Sequence, residues 1–136
     1  MIIGIDPGKS TGIAIYHGGK LTALQTIQPH RIKEHVTGAS RVIFEDSRLQ
    51  SHLFTSSSNR AVALKMARNV GEIDAWCALI TSICDDLGIP AHGISPKAKG
   101  AKLRHDAFAK LTGWTGKTNE HMRDAAMVAW MYRGAK

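Results

Sequence analysis

Residues 1–27 read MIIGIDPGKSTGIAIYHGGKLTALQTI, and the fold turns on how they are parsed. "IIGID" at 2–6 has the apolar, β-branched look of a buried strand, yet it ends on Asp6 and runs straight into Pro7 and Gly8. "TGIAIY" at 11–16 reads as a second strand, with Ile13 and Ile15 on one face. Gly18-Gly19 in "HGGK" is a strong two-residue hairpin signal, and "LTALQTI" at 21–27 is the returning strand. The chain therefore opens as an antiparallel meander whose first strand delivers a carboxylate at its C-terminal end.

Working outward, Pro29 opens a short polar helix over 29–37, and "SRVIFED" at 40–46 is a β-branched and aromatic strand that also ends in carboxylates, Glu45 and Asp46. "FTSSSN" at 54–59 has loop composition, and Ser58 or Asn59 can cap the helix that follows. That helix spans 60–87, where Met66, Val70, Ile73, Cys77, Ile80, Cys84 and Leu87 form one apolar stripe. Trp76, Leu79 and Ile83 form a second line beside it, and either line could face the sheet. Gly71 reads as a point of close helix packing, and Gly88 and Pro90 stop the helix. A strand at 89–95, a helix at 99–112 with Leu103, Ala107 and Leu111 inward, and a helix at 119–132 packing through Met122, Ala125, Ala126, Ala129 and Trp130 complete the chain. The order βββαβαβαα predicts a single α/β domain with a mixed sheet flanked by helices.

Composition narrows the partners. The 136 residues are 43% hydrophobic, enough for one real core, and no apolar run approaches the ~20 residues a membrane span needs. No basic stretch followed by a long apolar segment opens the chain, so no signal peptide is expected. Cys77 and Cys84 lie two helical turns apart, too far for a disulfide along one helix; reduced core thiols and a cytoplasmic setting are expected. The net charge of +7 and pI of about 9.7 suggest a polyanionic partner.

The carboxylates carry the chemistry. If the first and fourth strands are neighbours, their ends bring Asp6 and Glu45 together. Asp124 lies on the last helix, with His121 three residues earlier on the same helical face. Clustered acids repel one another, and divalent cations relieve that repulsion; oxygen ligands with one imidazole suit magnesium or manganese. Two such ions can activate a water and stabilise the leaving oxygen of a phosphodiester. Asp46 is the alternative to Glu45, since a one-residue step turns a side chain to the other face of the sheet.

"IIGIDPGKSTGIAIY", "VIFEDSRLQ" and "HMRDAAMVAW" resemble, in order, the metal-binding motifs of the RuvC family of Holliday junction resolvases, nearest to its small phage-type members. The resemblance covers nearly the whole chain. It implies a ribonuclease H-like fold with a five-stranded sheet, a homodimer, and structure-selective cleavage of branched DNA with two Mg2+ or Mn2+ ions per site. By position, it makes Asp6, Glu45, His121 and Asp124 the metal ligands, with His121 where many members have Asp. It also suggests Lys102 and Lys110 near the cut.

The basic and polar residues supply a DNA surface. Lys97, Lys99, Lys102, Arg104, Lys110 and Lys117 cluster in sequence, with Arg123 and Arg133 after them, and most are expected on phosphates. Ser56, Ser57, Ser58, Asn59 and Arg60 can meet phosphates at the start of the long helix; Phe54 reads first as a core residue, with stacking on an unpaired base the alternative that the resemblance implies. Two alternatives stay open: a YqgF-like nuclease acting on RNA, whose usual motif "EDSRLQ" matches only loosely, and a catalytically inactive module that binds branched nucleic acid.

Overall fold

The computed structural model describes residues 1–50, 59–98 and 100–135. Strands β1 (Ile2–Asp6), β2 (Thr11–His17) and β3 (Lys20–Ile27) form the expected meander, turned at Gly18 and Gly19, both with positive φ. A 3-10 turn, Pro29–Arg31, leads into the short α1 (Ile32–Val36), so the stretch expected as one helix over 29–37 is two pieces. β4 (Arg41–Glu45) ends in a 3-10 turn at Ser47–Leu49. Then come α2 (Arg60–Leu87), β5 (Ala91–Ile94), α3 (His105–Thr112) and α4 (Glu120–Ala129), which tightens into a 3-10 turn at Trp130–Tyr132.

The five strands lie in the order β3-β2-β1-β4-β5. β1 pairs antiparallel with β2 and parallel with β4, and β4 pairs parallel with β5. This is the mixed α/β sheet that the order of elements predicts. The parallel pairs require crossovers, and α1 and α2 provide them.

Strand alternation sorts the side chains into two cores. On one face Ile3, Ile5, Ile13, Val42 and Phe44 pack with Ile32, Val36, Cys77, Ile80 and Cys84. On the other, Ile2, Ala14, Tyr16 and Ile43 pack with Phe108, Ala125, Ala126, Val128 and Ala129. The buried Tyr16 hydroxyl donates to the Ala126 carbonyl at 2.7 Å, which satisfies it and ties β2 to α4. Desolvation pushes that hydroxyl far above the ordinary tyrosine range.

α2 settles which line of its surface meets the sheet: Cys77, Ile80 and Cys84 are fully buried, Ile83 and Leu87 pack beside them, and both cysteines are free thiols. Leu79 is 37% exposed. The N-terminal half leaves the body of the protein, with Val62, Leu64 and Met66 exposed. Gly71 is exposed there, and among the described residues a Cβ on it would meet nothing within 4 Å, so it is not a close-packing point within this chain. Asn59 caps the helix by accepting from the Ala61 and Val62 amides, and Gly88 ends it at φ +68.

α3 departs most from expectation. It begins at His105, not 99, because Gly100 takes φ +87 and Arg104 is extended. Phe108 is its buried residue; Leu103, ahead of the helix, packs against the α4-side core as expected, whereas Ala107 and Leu111 are exposed.

Candidate active site

α4 reaches the sheet because the strands beneath it lack side chains where it crosses. A Cβ on Gly4 would lie 2.2 Å from the Ala125 carbonyl oxygen, and one on Gly12 would lie 2.0 Å from that of His121. No side chain fits there, so β1 and β2 present bare backbone to an alanine-rich helix. This close approach sets the first turns of α4 over the C-terminal end of β1. Asn119 fixes the start of the helix: its Oδ1 accepts from the Met122 amide and its Nδ2 donates to Thr26 Oγ1 of β3. Gly4 and Gly12 opposite Ala125 and Ala129 permit this contact, but the sequence alone does not pair them.

Asp6 shares a sheet face with Gly4, the face that α4 covers. His121 Nδ1 stands 3.3 Å from Asp6 Oδ2. The loop after Asp6 is closed by the buried Thr11, whose Oγ1 donates to the Gly8 carbonyl at 2.7 Å. On β4 the register puts Ile5 beside Phe44, and one step further sets Glu45 next to Asp6. Ile43, two residues before Glu45, lies in the α4 core, so Glu45 shares that face too. Asp46 belongs to the opposite, α2 side, with Val42 and Phe44. Asp124 is 8% exposed and sits one helical turn beyond His121.

Lys102 joins the group from the segment before α3. Its ammonium pairs with Glu120 and stands 3.7 Å from Asp124 Oδ2. The Glu120 hydrogen bond, with the charges of Asp124, Glu120 and Asp6 behind it, raises the lysine's hold on its proton. Glu120 is correspondingly held below the usual carboxylate range by Lys102. Glu120 is a residue that sequence reasoning missed; its position at the first turn of α4 gives only an ordinary helix-start signal.

The structure thus brings Asp6, Glu45, His121, Asp124 and Lys102 to one end of one sheet face. The donor set, carboxylate oxygens with one imidazole nitrogen, matches a hard divalent cation. The Lys102 ammonium lies against Glu120 and Asp124, so a cationic group already stands beside these acids. Among the described residues, no three His, Cys, Asp or Glu side chains close on a common point as posed. The residues fit a cation by chemistry and by face, with His121 turned to Asp6 and Lys102 to Asp124.

The expected DNA residues divide. Arg60, Lys97, Lys110 and Lys117 are exposed, at the start of α2, in the turn after β5, on α3 and before α4. Asn59 spends its side-chain oxygen on the α2 cap. Ser56, Ser57, Ser58, Phe54 and Lys99 lie outside the described residues. Arg123 and Arg133, expected with the phosphate-facing cluster, serve internally. Arg123 donates to the Leu103 carbonyl and to Thr118 Oγ1, and Arg133 lies 3.6 Å over the Trp130 ring and donates to its carbonyl.

No family model matches the chain, and no curated protein matches its sequence. Among solved structures it is similar to T. thermophilus RuvC in complex with Holliday junction substrate, with a TM-score of 0.62 and 16% identity over 95% of this chain and 89% of that one. At that identity the likeness is one of fold. The chain has the ribonuclease H-like α/β fold of RuvC, as its motifs implied. Among the described residues, no helix is long and apolar enough to cross a membrane.

Proposed function

We propose that this protein is a divalent-metal-dependent endonuclease that cuts phosphodiester bonds in branched DNA, with the four-way junction as its substrate. The observation that carries this is the convergence of Asp6, Glu45, His121 and Asp124 at the end of one sheet face. Similarity to a RuvC solved with a Holliday junction supports the choice of substrate.

Asp6, Glu45, His121 and Asp124 would hold the metal. Bound there, Mg2+ or Mn2+ ions would supply an activated water and stabilise the leaving oxygen. His121 in place of a further acid removes one negative charge from the ligand set. Lys102 holds positive charge beside Asp124, where it can offset charge that develops on the scissile phosphate. The exposed Arg60, Lys97, Lys110 and Lys117 give the phosphate backbone its counter-charge, so affinity falls steeply with salt.

A junction is resolved by two nicks in opposing strands, which calls for two sites at a fixed separation. A two-fold homodimer supplies that with one interface. The exposed Val62, Leu64, Met66 and Ile73 of α2 support a dimer built on this helix. The test of the function is cleavage of a labelled four-way junction in magnesium, with linear duplex alongside. Junction-selective, EDTA-sensitive cuts are expected. Equal cutting of both DNAs, or none, would overturn the reading.

A further inference from the structure

Asp46 follows Glu45 directly, yet it points to the other side of the sheet and is only 5% exposed. A carboxylate so placed needs a partner. Arg48 provides it, with Nε donating to Oδ1 and Nη2 to Oδ2, each at 2.9 Å, and its own backbone amide donating to Oδ1 at 3.0 Å. This two-pronged grip holds the Asp46 carboxyl below the usual carboxylate range. Both of its oxygens are engaged away from the α4 face.

The same turn is pinned to α2. Arg48 Nη2 also donates to Thr81 Oγ1 at 3.2 Å, Ser47 Oγ donates to Asp74 Oδ1 at 2.6 Å, and Cys77 Sγ donates to the carbonyl of Glu45 itself at 3.5 Å. From the other side, the Asp46 amide donates to the Ile94 carbonyl of β5 at 2.8 Å. Gly93 leaves no slack: a Cβ on it would lie 2.7 Å from Asp46 Oδ2. The peptide that carries Glu45 is thereby clamped between α2 and β5, while its side chain faces α4.

The geometry points to Asp46 and Arg48 as a positioning pair that sets the place of Glu45 from behind the sheet, not as a further ligand and its neighbour. This rests on the proposed role of Glu45 at the metal. It gives the two adjacent acids different tasks, and it couples the candidate site to the middle of α2 through Asp74, Cys77 and Thr81.

The test uses the full chain and three variants: Asp46→Asn, Arg48→Lys and Gly93→Ala. The last leaves both members of the pair chemically intact but crowds Asp46. Arg48→Lys keeps the charge and loses the fork, so it supplies a folded, milder variant. Two readouts are taken: amide hydrogen exchange over residues 45–50, and the Mn2+ concentration for half-maximal junction cleavage. Asp46→Asn and Gly93→Ala should both speed exchange there and raise the half-saturating Mn2+ about tenfold, with Arg48→Lys in between. At saturating Mn2+ the cleavage rate should return to near the wild-type value. Folded variants with a lowered unfolding midpoint but wild-type Mn2+ dependence would overturn the proposal and leave the pair a plain brace. If the wild-type chain neither binds Mn2+ nor cuts, the functional reading fails. The exchange arm still decides the pair, and unchanged exchange in Asp46→Asn would sink it.

Discussion

α4 and α2 flank the same sheet and meet it in opposite ways. α4 buries Asp124, Ala125, Ala126, Val128 and Ala129 and presses its backbone onto Gly4 and Gly12. α2 is 28 residues long, but its fully buried positions are Cys77, Ile80 and Cys84, and its N-terminal half stands in solvent. Precision on one side and reach on the other suit different tasks. The tight contact sets His121 against Asp6, with Asp124 one turn further along α4. The loose half of α2 leaves apolar and basic surface for partners.

The largest effects belong on the α4 side. Asp6→Asn, Glu45→Gln and Asp124→Asn should each cut the junction-cleavage rate at least about a thousandfold, since a bound ion supplies several kcal/mol of transition-state stabilisation. Each should keep the fold and junction binding. A single-turnover assay checks this, and full activity in any one variant would remove that residue from the site. His121→Ala should lose most activity and His121→Asp retain it; wild-type rates in the alanine variant would make His121 a bystander.

Lys102→Ala comes next. A loss of about a hundredfold in the cleavage rate is expected, with junction affinity little changed, as when one donor to a developing charge is removed. A change confined to affinity would place Lys102 among the ordinary phosphate contacts.

The two glycines sharpen the comparison in stability. Gly12→Ala drives a Cβ against the His121 carbonyl and should destabilise by about 3 kcal/mol, the upper end for overpacking, because backbone cannot yield as a side chain can. Gly71→Ala, on the exposed part of α2, should stabilise by about 0.5–1 kcal/mol through helix propensity alone. Denaturant unfolding of both variants checks the opposite signs. A neutral Gly12→Ala would mean that α4 does not sit this close.

The smallest stability change, within about 0.5 kcal/mol, is expected for Leu64→Lys, on the exposed half of α2. Its effect should appear in association: sedimentation at micromolar concentration should show a wild-type dimer and a variant monomer. Ile80→Asp, on the buried half, should unfold the chain instead. A wild-type monomer both free and junction-bound would overturn the dimer and favour a nuclease that nicks once.

Much of this contrast was legible in the sequence. Period-two strands, the Gly18-Gly19 turn and the long 60–87 stripe are local signals, and each element is where its pattern put it. That Asp6 and a β4 carboxylate end neighbouring strands, with Asp124 on the last helix, was legible because strand ends and helix faces follow from spacing. The choice between Glu45 and Asp46 was not, since it depends on which face β4 gives to α4, a tertiary fact. The start of α3 was misread because helix-favouring lysines and alanines mask one glycine at φ +87. The use of Gly4 and Gly12 as a seat for α4, and of Arg123 as an internal staple, depends on contacts between segments far apart in the chain.

The central claim is that the acids on the α4 face hold a divalent cation. Mn2+ binding followed by electron paramagnetic resonance on the full chain tests it without any DNA. The account predicts saturable Mn2+ binding by the wild-type protein, lost in Asp6→Asn and in Asp124→Asn and kept in Asp46→Asn at weaker affinity. No saturable binding, or binding that survives both the Asp6 and the Asp124 substitutions, would contradict it.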